Sequence, residues 1–319
     1  MQTGIYPWVD CVFKRLFAVE ENKDMLLSII NAALLEGHEP GVVDITILNP
    51  YNLKDFLDDK LSILDIKAKN ANQEEFLIEI QVKMYESFPK RILYYWAKNY
   101  ESQIQEGEFY DKLHRVTIIG FTLESLPILT NSYYNLYKIL NTQKHSSVFC
   151  DDLRIATIEL SKFERKEESM SEMEKWTYFL KYGNTLEEDN LPPTIETPQI
   201  RKAVRELNKF SLDNEQRARY EARMKSMRDG QALLSSEFNK GKIEGIKEGI
   251  KEGEIKGEIK GEIKGKIETN LELRFESRGL PWMNQIRDLQ DIDKLSAILR
   301  LAKTSPDLES WEKGIKSLL

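Results

Sequence analysis

The stretch "FLIEIQVKMY", residues 76–85, alternates with period two. Phe76, Ile78, Ile80, Val82 and Met84 fall on one face of an extended chain; Leu77, Glu79, Gln81 and Lys83 fall on the other. One face is wholly apolar and belongs against a core. The other sets an acid, an amide and an amine in a row, which is either a solvated surface or a site.

The neighbouring pattern builds outward from this strand. "LSILDIKAK" (61–69) reads as a second strand, and "NANQ" (70–73) supplies turn residues between the two, making a hairpin. On the partner strand Leu64 and Ile66 point one way, Asp65 and Lys67 the other. If the polar sets share a face, Asp65 and Glu79 converge beside Gln81, Lys67 and Lys83. Two hard carboxylates of this kind suit Mg²⁺ or Mn²⁺, which take few protein ligands and leave room for water and a phosphate oxygen. Further strands are expected at "VVDITILN" (42–49), "HRVTIIGFTL" (114–123) and "RIATIEL" (154–160). Helical spacing is read at 8–37, ending at Gly37, at 89–107 and around 174–182. The order is helix, three strands, helix, strand.

Composition narrows the class. The 319 residues are 41% hydrophobic, with 13 Phe, 13 Tyr and 5 Trp, enough for a real core. Two cysteines make no disulfide framework, and three scattered histidines give no zinc spacing. No basic region followed by an apolar run opens the chain, and the apolar run "VTIIGF" (116–121) is too short to span a bilayer, so a cytoplasmic protein without membrane contact is expected. A net charge of −7 argues against a protein that coats nucleic acid, but not against one that grips it locally.

The C-terminal half is organised differently. Residues 199–230 carry nine Lys or Arg against five Asp or Glu and read as a basic helical segment, extended to 240. Seven glycines then recur every four residues from Gly241 to Gly265. Each costs a helix about 0.8–1 kcal/mol relative to alanine, so 241–268 reads as a marginal helix or spacer. Residues 269–319 resume helical periodicity and are expected to dock or to dimerise. Met224 and Met227 stand just before the repeat, where an internally started C-terminal fragment would begin.

The motifs carry a resemblance. Asp65, thirteen residues, then Glu79-Ile80-Gln81 resembles the D…(D/E)-x-K signature of the PD-(D/E)XK nuclease superfamily. "DCVFKRLFA", "LDIKAKN", "FLIEIQ" and "RILYYWAKNYESQIQEGEFYDKL" more narrowly resemble the Rpn (recombination-promoting nuclease) family, whose members are often labelled PD-(D/E)XK nuclease family transposases. The likeness covers roughly 8–235. It implies an α/β (α+β) restriction-endonuclease-like core over 1–198 and a metal-dependent DNA endonuclease. Asp65 and Glu79 would be metal ligands, with the carbonyl of Ile80 a third. Gln81 stands where the superfamily has lysine; an amide orients water but carries no charge, which leaves Lys67 to supply it. Asp10 matches the acid in the family's first helix and would support the site. Lys83, Arg91, Lys202 and Arg205 are candidates for holding DNA. Two other readings stay open: an inactive nuclease fold that binds DNA or protein, and, less well matched in element order, a transposase on an RNase H-type sheet.

Overall fold

The computed structural model describes residues 3–48, 66–82, 87–126, 130–164 and 169–318. Asp65 and Lys83 lie outside them. The chain divides into two compact units, 1–226 and 227–319.

In the first unit a mixed sheet runs β1 (Thr46–Ile47), β2 (Ile66–Lys69), β3 (Glu75–Gln81), β4 (Val116–Thr122), β6 (Val148–Glu159), β5 (Tyr134–Leu140) in spatial order. β3, β4 and β6 are mutually parallel; β1, β2 and β5 are antiparallel to their neighbours. The expected hairpin is present: Ile66 pairs with Ile78 and Lys69 with Glu75. Its turn holds Gln73 at φ 63°, and the Asn70 side chain ties the ends by accepting from the Glu74 N–H.

Helices cover both faces. α1 (Asp10–Phe17), α2 (Lys23–Glu36), α4 (Glu172–Tyr182) and α5 (Pro198–Leu212) pack together on one. The Phe13 ring lies 6.1 Å from that of Phe121, which fixes this as the face of Phe121 and hence of Phe76, Ile78 and Ile80. α3 (Phe88–Glu101) covers the opposite face, where Phe88 and Ile92 join Leu77, Val116 and Ile118 in a buried cluster. Tyr94 is exposed while Tyr95 and Trp96 pack against that cluster, so the three consecutive aromatics divide as one helix face requires.

Several expectations need correction. The single helix over 8–37 is two α-helices, because the α-helical run stops at Phe17 and a short 3₁₀ turn, Glu20–Asn22, precedes the second. Within 42–48 only Thr46–Ile47 pairs as strand. β5 carried too little alternation to be read at all. The face offered as a solvated surface or a site is covered at Leu77, which is fully buried, and at Glu79, which is 8% exposed. A strand parallel to its neighbour with helices on both faces has no wet side.

α5, in the basic segment, also carries an apolar side. Ile200, Ala203, Val204, Leu207 and Phe210 bury one side of it, and it contacts α1, α2 and α4.

The glycine repeat lies inside one helix, α6 (Asn214–Phe275). A methyl group added at any of its seven glycines meets nothing within 4 Å. Replacing Gly245, Gly249 and Gly253 by alanine therefore removes only the glycine penalty, and the three together should stabilise this helix by about 2.5–3 kcal/mol. Circular dichroism through a thermal melt reads this as later loss of helicity; an unchanged or earlier transition contradicts it.

The second unit builds its own core from the end of α6, with α7 (Met283–Asp288), α8 (Ile292–Thr304) and α9 (Leu308–Ile315). Ile267, Leu271 and Phe275 surround the fully buried Trp311 together with Ile298 and Ile315. Arg274 donates to the carbonyls of Ala302, Lys303 and Ser305, closing the C-terminus of α8.

Candidate active site

The sheet register decides which polar side chains share a face. Partners on neighbouring strands point the same way, so Leu77, Glu79 and Gln81 of β3 stand beside Ile118, Gly120 and Thr122 of β4. These in turn stand beside Ile155, Thr157 and Glu159 of β6. Toward the C-terminal ends of the three parallel strands the rows turn polar: Glu79, Gln81, Thr122, Thr157 and Glu159. The carboxyl ends of parallel strands are where open α/β sheets place their sites.

Glu79 is held by a cation. Arg91, in the first turn of α3, donates from Nη2 to Glu79 Oε1 at 3.2 Å and from the same nitrogen to Gln81 Oε1. The guanidinium carbon lies 5.5 Å from the Phe88 ring centroid and 5.9 Å from that of Tyr95, so aromatic faces fix its place. Its Nε is buried without a hydrogen-bond partner among the described residues. The helix can begin where it does because Pro89 occupies its first turn, where no backbone donor is needed. This sets Arg91 over the strand end.

Lys67 shares the Glu79 face, since it pairs with Leu77. Its ammonium bridges Glu75 Oε2 at 3.0 Å and Asn99 Oδ1 at 2.9 Å. Among the described residues Arg91, a candidate for holding DNA in the sequence, is a cation that meets Glu79. Asp10 begins α1, on the other face of the sheet; it accepts from the Cys11 N–H and pairs with Arg223 at 2.7 Å. Lys202 is engaged by Asp24 and by the carbonyl of Glu21, and Arg205 lies 3.8 Å from Glu188. These two belong to the α5 surface rather than to the Glu79 row.

Three residues of the row went unread in the sequence. Thr122, Thr157 and Glu159 are each at most 4% exposed. Glu159 Oε2 accepts from the Leu126 N–H at 2.8 Å and pairs with Lys162 at 2.7 Å. Its Oε1 and both threonine hydroxyls have no hydrogen-bond partner among the described residues. Buried polar atoms are normally satisfied, so this strip has the character of a site rather than of a core. Thr122 follows the apolar run "VTIIGF", while Thr157 and Glu159 lie on another strand, so no local pattern joins the three.

As a donor set, Glu79 and Gln81 offer hard oxygens where a guanidinium already balances the charge. Oxygen donors of this kind are the ones Mg²⁺ or Mn²⁺ takes, and here they already accept from Arg91. Among the described residues no three His, Cys, Asp or Glu side chains converge as a ready-made cage. Residues 7–237 match the family model described as PD-(D/E)XK nuclease family transposase. No curated protein and no solved structure matches the chain.

Proposed function

Because the chain belongs to the PD-(D/E)XK nuclease family transposases, we propose that it is a Mg²⁺- or Mn²⁺-dependent DNA endonuclease of the recombination-promoting type. Hydrolysis of phosphodiester bonds by such an enzyme would serve recombination, mobile-element biology or phage defence. The observation that carries the reading is Glu79: a carboxylate 8% exposed, at the carboxyl end of a central strand, matched by a cation and flanked by an amide.

Asp65 and Glu79 are the immediate chain neighbours of Ile66 and Ile78, which pair across the hairpin. With the Ile80 carbonyl, these two carboxylates are the residues that would hold the metal. Bound there, Mg²⁺ supplies polarisation of the scissile phosphate and an acidified water. Gln81 has an amide able to orient that water through its oxygen or its NH₂. Arg91 retains N–H groups that Glu79 and Gln81 do not use, and a guanidinium fork suits a phosphate. Lys83 would add charge at the strand end. Among the described residues no helix is long and apolar enough to cross a membrane.

Plasmid DNA incubated with the protein and Mg²⁺ or Mn²⁺ should be nicked or linearised, and EDTA should stop it. Retention of DNA in a mobility assay with no cleavage in either metal would favour the second reading, an inactive nuclease fold that serves as a binding module. That reading draws on Gln81 standing in place of a lysine. The second unit, which begins at Met227 and has its own core, fits the further proposal of a homodimer and of an internally started fragment. Light scattering of the full chain reads the first of these directly.

A further inference from the structure

Four features of Arg91 belong together. It is a cation on Glu79, it engages Gln81 with the same nitrogen, its Nε is buried without a hydrogen-bond partner among the described residues, and its side chain is 30% exposed. A structural arginine–carboxylate pair is normally a two-pronged fork, each nitrogen meeting one oxygen. Here one nitrogen serves two acceptors, and the guanidinium acts on Glu79 as a point charge. Its hold on Glu79 is therefore single-pronged. An aromatic cradle keeps the group in place, and its exposed part gives a route outward.

From this we infer that Arg91 is a resident counter-ion of Glu79 and lowers the metal affinity of the site by competing with the divalent ion. The inference rests on the metal-dependent reading of the same site. A buried carboxylate without a counter-ion is unfavourable, so in the metal-free protein Arg91 stabilises Glu79. A divalent ion and a guanidinium drawn to the same oxygens repel one another, so occupancy by one weakens the other. With a metal on Glu79, the Nη2 hydrogens of Arg91 would be free of that carboxylate and available as donors to an anionic oxygen. Arg91 is thus a positioning and affinity-determining residue. The site is restrained in proportion to how well Arg91 sits on Glu79.

The test uses the full-length chain and Mn²⁺ alone, without DNA, with free Mn²⁺ counted by electron paramagnetic resonance. Glu79→Gln in an otherwise unchanged chain identifies the binding that belongs to this site. Arg91→Gln should tighten the Glu79-dependent Mn²⁺ binding roughly tenfold, the consequence of removing one competing charge. Its metal-free melting temperature should fall, and Mn²⁺ should restore more of it than in the wild type. Arg91→Lys keeps the charge but loses the reach to both acceptors, and should bind Mn²⁺ with intermediate affinity. It carries the test if Arg91→Gln does not fold. Glu79-dependent binding in the wild type that is unchanged or weaker in these variants overturns the competition while leaving the metal reading intact. Absence of Glu79-dependent binding in the wild type and in both variants overturns both.

Discussion

Glu79→Gln should abolish metal-dependent plasmid cleavage, with a loss of at least about a thousandfold, the order expected when a group that holds the catalytic metal or stabilises developing charge is removed. The substitution preserves shape and one acceptor oxygen but removes the negative charge that balances Arg91. Because Glu79 lies beneath α3 rather than in solvent, the change also reaches stability. Glu79→Ala, which leaves the Arg91 guanidinium facing an empty position, should cost about 1–3 kcal/mol in addition. Cleavage and thermal melting therefore need to be read together: Glu79→Gln should melt below the wild type, because Arg91 loses its carboxylate, yet stay folded at the assay temperature and fail to cut. Cleavage at wild-type rates by a folded Glu79→Gln protein would remove Glu79 from the site.

A second large effect, a loss of stability, is expected at the other end of the sheet. Asp151 joins three cations: Arg154 at 2.6 Å, Arg115 at 2.7 Å and Lys138 at 2.9 Å. Arg154 is 4% exposed and also meets Glu39 at 2.6 Å. Burial works against ionisation of Asp151. Hydrogen bonds from Arg154 and Lys138, and the nearby charges of Arg154 and Arg115, outweigh it and hold the carboxyl below the usual aspartate range.

Removing one partner of a buried pair costs roughly 3–5 kcal/mol; the partial exposure of Asp151 lowers the expectation for Asp151→Ala to about 2–3 kcal/mol. That corresponds to a fall of about 5–10 °C in melting temperature for a unit of this size. The pH dependence has a definite sign. A carboxyl whose pKa is depressed on folding contributes stability that is complete above its unfolded value, near 4, and is lost as pH falls through the folded value. The difference in melting temperature between wild type and Asp151→Asn should stay level from pH 5 to 8 and shrink below about pH 4. A difference that persists undiminished at pH 3 would show that packing, not charge, holds this corner.

What the chain could reveal by itself follows from local physics. Period two over 76–81, turn chemistry at Asn70 and Gln73, and a proline near the start of α3 each act within a few residues, so hairpin and helix were legible. The capping box at Ser171 and Glu174 is equally local and stands at the start of α4. Glu79 and Gln81 were readable as candidates because a strand puts alternate residues on one face, whatever lies around it.

What only the tertiary structure decided depends on partners distant in sequence. Whether the Glu79 face is wet or buried turns on α3 folding back over it, and hence on Arg91, twelve residues away, arriving at the carboxylate. Thr122 and Glu159 joined the row through the parallel register of β3, β4 and β6, a pairing that no single strand encodes. The basic character of 199–230 was plain, but its use was not: Lys202 and Arg223 meet Asp24 and Asp10, about two hundred residues earlier in the chain. Charge and periodicity are properties of a segment; burial and the identity of a counter-ion are properties of the packed chain.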